Sequence, residues 1–215
     1  VLIANAENAR NGSGLTPELY RTFRSWGIDA ITLGDHVFRD PKIVPMLENP
    51  EEPIARPANL SSRSPGKRWT RIAASGRRTR DIYVCTVLGR IFFPLPANDP
   101  FAAIDEVIAS IPERRPILIV EAHMEATSEK AALASWCDGR AGLVVGTHTH
   151  VPTADARILK KGTGFITDVG MCGPYDSVIG RDIDAVIRHM TTALPVHYEM
   201  GQNDARVCGV CVEIS

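Results

Sequence analysis

Two carboxylates, an amide and four imidazoles stand in this sequence just after short apolar runs. Glu7-Asn8 follow the run at residues 1–5, Gly34-Asp35-His36 follow residues 28–33, His123 follows residues 117–120, and Gly146-Thr147-His148-Thr149-His150 follow residues 143–145. Carboxylate, amide oxygen and imidazole without thiolate form a ligand set that suits Mn, Fe or Zn better than Ca or an iron–sulfur cluster. In an extended segment His148 and His150 share one face about 6–7 Å apart. That spacing suits two metals ~3.5–4 Å apart, one per imidazole. A carboxylate such as Glu7 can bridge two ions, and a hydroxide bridging them is a nucleophile with a pKa far below that of free water. Asp35 can ligate while the adjacent His36 stays free to protonate a leaving alkoxide.

Each fragment has a plainer reading when taken alone. His-Thr-His and Asp-His occur in ordinary solvated turns, Glu7-Asn8 fits a loop satisfied by its own polar groups, and a lone His123 fits a hydrogen-bonded core residue. The convergence is the signal. In open α/β sheets ligands bind outside the carboxyl ends of the strands, and four separate strand ends here deliver metal-binding groups to one rim.

The elements that must position these groups follow an α/β pattern. Strands are expected over residues 1–5 (buried on both faces), 28–33, 69–75, 81–88, 117–120, 143–145, 156–159, 165–167 and 207–214. Gly76-Arg77-Arg78 join the third and fourth of these as a pair. Helices are expected from Thr16 as cap with Pro17 at the first position and Gly27 at the end, from Asp40-Pro41, from Asp99-Pro100 to about Ile111, from Thr127 or Ser128 through Trp136, and over residues 182–192. Extra strands in the middle and at the end fit two packed sheets covered by helices. Residues 59–67, rich in Ser, Arg and Pro, read as a surface loop rather than a domain boundary.

Composition narrows the classes. The chain has 215 residues, 44% hydrophobic and 23% charged, enough for one well-buried domain over residues 1–215. Its net charge of −1 leaves no overall electrostatic footprint for nucleic acid. The longest apolar runs fall far short of the ~20 residues a membrane helix needs. Five Cys, an odd number, do not outline a disulfide framework. Cys208 and Cys211, three apart in an expected strand, point to opposite faces and read as packed thiols. The cytoplasm is the expected compartment.

The motifs also resemble one family, the YmdB-like metallophosphoesterases, a calcineurin-like branch. The matching segments include Ala4-Asn5-Ala6-Glu7-Asn8, Ile31-Thr32-Leu33-Gly34-Asp35-His36-Val37, Leu88-Gly89-Arg90, the eight residues from His123 to Lys130, the eleven from Val145 to Asp155, and the fifteen from Ile166 to Gly180. They run nearly end to end in the family's order. The resemblance implies a four-layer α/β/β/α sandwich and two metal ions, usually iron or manganese. It implies that Glu7 bridges them, that Asn8 and His150 join one ion, that Asp35, His123 and His148 join the other, and that His36 is the proton donor. It further implies hydrolysis of small phosphodiesters such as 2′,3′-cyclic nucleotides, with no stable nucleic-acid complex and no membrane, by a homo-oligomer.

Two departures stand out. Asp35 occupies a position where the family has Asn, which adds negative charge beside an anionic substrate. The family also opens with a strand ending in Gly-Asp, whose Asp ligates one metal. No such segment precedes Val1, so the chain reads as a fragment of a longer protein, with Asp168 the first alternative source of that ligand. The alternative function is a non-catalytic regulatory or scaffold protein that keeps the fold. A metal-dependent amidohydrolase fits less well, because its His-x-His follows the first barrel strand. Arg10, Arg39, Arg90 and Tyr175 are candidates to hold phosphate or base, with ordinary surface roles as the alternative for each. The loop over residues 168–180 reads either as functional or as a support for the site or a subunit contact.

Overall fold

The computed structural model describes residues 1–76, 78–93 and 95–214. In chain order the elements are β1 (Ile3–Asn5), α1 (Pro17–Ser25), β2 (Ala30–Thr32), a 3₁₀ turn (Pro41–Ile43), α2 (Val44–Glu48), β3 (Thr70–Ile72) and β4 (Ile82–Leu88). Then come α3 (Pro100–Ser110), β5 (Ile117–His123), α4 (Thr127–Cys137), β6 (Leu143–Thr147), β7 (Arg157–Ile158), β8 (Gly164–Ile166), β9 (Gly173–Asp176), α5 (Ile183–Thr192) and β10 (Asn203–Arg206).

Among the described residues the strands form three sheets. Six strands lie in the order β3-β4-β5-β6-β8-β7, β1 pairs with β2, and β9 pairs with β10. The central four, β4-β5-β6-β8, are parallel, with antiparallel β3 and β7 at the edges. This is a mixed α/β fold.

Strand alternation sorts the core. Tyr83, Cys85 and Val87 of β4 and Leu118, Val120 and Ala122 of β5 face Ile104 and Val107 of α3 and Leu133 and Cys137 of α4. Val84 and Ile119, one residue out of phase, face the other way and meet Ala30 of β2 and Ile3 of β1. Ile31, again out of phase with Ala30, turns from the large sheet toward Tyr20 of α1 and toward Ile43 and Leu47. Burial on both faces explains why the central strands read as unbroken apolar runs.

The helix starts follow their caps. The Thr16 hydroxyl accepts from the Leu19 N–H at 3.2 Å with Pro17 at the first position, Asp99 caps α3 at Phe101, and Asp182 caps α5 at Ala185. Gly27 takes a φ of +88° after α1 ends, a conformation that glycine adopts freely.

Several expectations need correction. Neither Thr127 nor Ser128 caps α4; Ala126 holds that place and makes no side-chain cap bond. Residues 1–5 are not buried on both faces: Val1 and Leu2 are exposed, and only residues 3–5 are strand, paired with β2 among the described residues. Residues 207–214 are not a strand, and Val207 is exposed. That segment's apolar side chains seat two apart, with Val212 and Ile214 packed beside the core cluster that holds Leu143. Cys208 is half-buried and Cys211 exposed, so they are not packed thiols; Cys85 and Cys137 are the buried ones. The strand pair β3–β4 formed as expected, but Arg77 of its connection lies outside the described residues. Among the described residues no helix is long and apolar enough to cross a membrane.

Register puts the chemistry on one rim. Leu88, His123 and Thr147, the last residues of β4, β5 and β6, are aligned partners, and so are Asn5 and Thr32, the last residues of β1 and β2. The strand ends at Leu88, His123 and Thr147 therefore lie together in the large sheet, and those at Asn5 and Thr32 together in the small one.

Candidate metal centre

His123 is the anchor. It ends β5 and is 1% exposed. Its Nε2 lies 3.1 Å from Glu7 Oε1 and 3.0 Å from Asp35 Oδ1. Its Nδ1 lies 2.9 Å from Thr147 Oγ1. The Thr147 hydroxyl has one hydrogen, and that hydrogen goes to Glu121 Oε1 at 2.6 Å, since a carboxylate only accepts. Thr147 must therefore accept from His123, which fixes the proton on Nδ1. Nε2 is left facing two carboxylate oxygens. Three lone-pair donors at such distances repel one another unless a proton or a cation sits among them.

The electrostatics say the same. Burial works against a charged His123, but the Glu7 charge and hydrogen bonds to Asp35, Glu121 and Glu7 outweigh it and hold its pKa well above the usual imidazole range. Burial likewise works against ionised Asp35, yet the His123 hydrogen bond and charge bring its pKa down to about 2. His148 titrates lower than usual, through burial and the neighbouring His123. This is a pocket that favours positive charge, which a bound metal ion would supply in place of the proton.

His148 completes the group. Its Nδ1 lies 3.6 Å from Asp35 Oδ1, and its Nε2 lies 3.2 Å from Glu125 Oε2. Its ring packs on Phe93 with centroids 4.8 Å apart. One ligand atom from each of Glu7, Asp35, His123 and His148 lies within 4.8 Å of the others. Two carboxylates and two imidazoles, with Glu7 and His123 buried, fit a transition-metal ion.

Asn8 joins the remaining residues beside this group. Its Oδ1 accepts from His36 Nδ1 at 2.7 Å, and its Nδ2 lies 3.3 Å from His150 Nε2. His36 also donates its backbone N–H to Glu7 Oε2 at 3.1 Å. Only part of the expected freedom of His36 is found: Nδ1 is engaged by Asn8, while Nε2 comes no closer to Asp35 Oδ2 than 3.7 Å. The Thr147–His150 segment is not extended as the spacing argument assumed. His148 and His150 have φ of 86° and 64°, so the chain turns at both. The turn sends His148 to Asp35 and His150 to Asn8 and the Ile179 carbonyl.

Asp168 is not a spare ligand. It is buried and salt-bridged to Lys130 at 2.9 Å. Arg10 is paired with Asp40, and Arg39 is exposed. Tyr175 contacts Cys208 and lies under the Arg206 guanidinium. Arg90 borders a surface cavity with Ile91, Phe101 and Glu129.

Sequence reasoning missed the supports. Glu121 accepts from Asn5, Thr86 and Thr147 and lies 3.5 Å from His123 Nδ1. An acid two residues before His123, hence on the same strand face and next to an apolar run, was the available signal. Buried Glu129 accepts the backbone N–H groups of Arg90 and Ile91 and so fixes the loop after β4. Gly34 has a steric reason: a Cβ there would collide with the His123 ring and the Glu7 carboxylate.

An α/β fold with carboxylates and imidazoles gathered at its strand ends places the chain in the class of α/β proteins that carry a candidate metal centre. Within that class the chain belongs to the YmdB-like protein family, whose sequence model matches residues 1–215. It is 44% identical over 212 residues to a 2′,3′-cyclic-nucleotide 2′-phosphodiesterase of Bacillus subtilis (strain 168), a match that covers 99% of this chain and 78% of that protein. A crystal structure of a hypothetical protein from Thermus thermophilus superposes with a TM-score of 0.87 at 42% identity, covering 95% of this chain and 78% of that one. A structure titled a novel phosphatase from Mycoplasma pneumoniae gives a TM-score of 0.84 at 33% identity, over 94% and 72% of the two chains.

Proposed function

We propose that this protein is a metal-dependent phosphodiesterase that hydrolyses small phosphodiesters, 2′,3′-cyclic nucleotides foremost, with His36 as proton donor. The observation that carries the reading is the convergence of Glu7, Asp35, His123 and His148 within 4.8 Å. Its support is the similarity along nearly the whole chain to a 2′,3′-cyclic-nucleotide 2′-phosphodiesterase.

In this reading two ions, iron or manganese, are held. Asp35, His123 and His148 would hold one, Asn8 and His150 would hold the other, and Glu7 would serve both. Bound ions supply charge compensation for the phosphate and the means to generate a hydroxide nucleophile near neutral pH. The chain's own groups do the rest. Thr147 and Glu121 keep the His123 proton on Nδ1 and aim Nε2 inward. Asn8 holds the Nδ1 side of His36, which leaves Nε2 to deliver a proton to the leaving ribose oxygen. Phe93 packs against the His123 and His148 rings.

The same reading takes residues 1–215 as one phosphoesterase domain with four layers. The three core clusters support that order: α3 and α4, the six-stranded sheet, the β1–β2 pair, then α1 and α2. A homo-oligomer is supported by the exposed row Ile187, Met190 and Leu194 on and just after α5. A cytoplasmic location is supported by the exposed thiols of Cys172 and Cys211. The test is hydrolysis of a phosphodiester panel by the metal-loaded protein. Turnover led by 2′,3′-cyclic nucleotides is expected, and none on any diester would overturn the proposal.

A further inference from the structure

The turn that carries His148 and His150 is strained and has a buried support. Both histidines lie in the left-handed region, which costs a residue with a side chain about 1–3 kcal/mol. Between them, the Thr149 hydroxyl donates to Asp168 Oδ2 at 2.6 Å, and its backbone N–H reaches the same oxygen at 3.2 Å. Lys130 Nζ lies 2.9 Å from Thr149 Oγ1 and 2.9 Å from Asp168 Oδ2. Lys130 is 0% and Asp168 1% exposed. The other Asp168 oxygen accepts from the Gly170 N–H at 2.7 Å. Gly146 lets the Lys130 side chain pass, since a Cβ there would crowd it and collide with the Thr167 carbonyl.

A buried ion pair adds little net stability, because desolvation of both charges offsets their attraction. Its use is then to specify one conformation. Three elements meet here: Lys130 from α4, Thr149 after β6 and Asp168 after β8. We infer that the buried Lys130–Asp168 pair is a positioning device that grips Thr149 and so forces His148 and His150 to opposite sides of the turn, one toward each group of metal donors. Neither residue touches substrate or metal; both act through Thr149. The inference rests on the metal-holding reading of the site.

The test is Mn²⁺ titration of the purified protein, followed by turnover of 2′,3′-cyclic AMP, for the parent, Thr149→Val, Thr149→Ser and Lys130→Met. Thr149→Val removes the hydroxyl and leaves the ion pair in place. We expect its Mn²⁺ affinity to fall roughly 10–100-fold, the usual effect of losing a group that orients ligands. Its kcat should fall more than KM rises. Thr149→Ser, which keeps the hydroxyl, should return both toward the parent. Should Lys130→Met fail to fold, the two Thr149 variants still decide. Parent-like Mn²⁺ affinity and kcat in Thr149→Val, with or without a lower Tm, would overturn the inference. A parent that binds no Mn²⁺ would overturn the reading of the site itself, and the inference with it.

Discussion

Glu7 Oε1 lies 3.1 Å from His123 Nε2, and both side chains are withdrawn from solvent. The two residues come from different sheets, after β1 and at the end of β5. Their meeting ties the small sheet to the large one through a polar contact. A buried charge left without its partner is strongly destabilising. Glu7→Ala should therefore lose most activity and lower metal occupancy at both positions, read by elemental analysis of the purified variant. Near-parent occupancy and rate would reduce Glu7 to a loop residue.

His36 should separate chemistry from metal binding. Its Nδ1 is engaged by Asn8, whereas Nε2 has no partner within hydrogen-bonding distance among the described residues. His36→Ala should cut turnover by roughly 10²–10⁴-fold, the range for a proton-transferring group, with metal content at the parent value. Loss of metal in that variant would make His36 a ligand.

Asp35 carries one negative charge where the resemblance implies Asn. It already sits among Glu7, His123 and His148. Asp35→Asn should keep metal bound and lower KM, because an anionic substrate then meets less repulsion. Steady-state kinetics on 2′,3′-cyclic AMP decide it, and an unchanged KM would mean the charge is screened.

Gly34→Ala should damage the site more than the fold. The added methyl meets the His123 ring and the Glu7 carboxylate. Overpacking of this kind costs about 1–3 kcal/mol, and it should show as weakened metal binding in a protein that still unfolds cooperatively. Parent-like metal affinity would mean the strand end yields more easily than its packing indicates.

Asp155 gives a pH signature away from the metal. Burial works against its charge, but hydrogen bonds from Thr167, Thr153 and Arg157 hold its pKa well below the usual carboxylate range. A depressed pKa stabilises the fold above the unfolded value and loses that contribution as pH falls through the folded one. Asp155→Asn should cost about 1 kcal/mol near neutral pH, a modest figure for a partly exposed group. The difference from the parent should shrink as the pH is lowered past ~4 toward the folded pKa. Denaturant unfolding at several pH values measures it, and a difference that grows in acid would contradict the assignment.

Much of this site was legible in the sequence because strand ends mark it. Glu7, Asp35, His123 and His148 each follow or end an apolar run, and parallel pairing aligns those ends. Thr16 and Asp99 announced their helices by cap chemistry. What stayed hidden depends on contacts distant in sequence. Lys130 reads as a surface helix residue until Asp168 is placed beside it, 38 positions away. The turn at His148 and His150 was hidden for the same reason, since non-glycine residues adopt such backbone only when the surroundings enforce it. Residues 207–214 carry strand-forming side chains, but the β9–β10 pairing stops at Arg206.

The central claim is that the cluster holds metal for phosphodiester hydrolysis. The most direct measurement is hydrolysis of 2′,3′-cyclic AMP by the purified protein before and after chelation, with iron and manganese content determined on the same samples. The account predicts two ions per chain, turnover that disappears with the chelator, and recovery when Mn²⁺ or Fe²⁺ is restored. A protein that takes up neither metal and leaves the cyclic nucleotide intact, or one whose turnover survives complete metal removal, would contradict it.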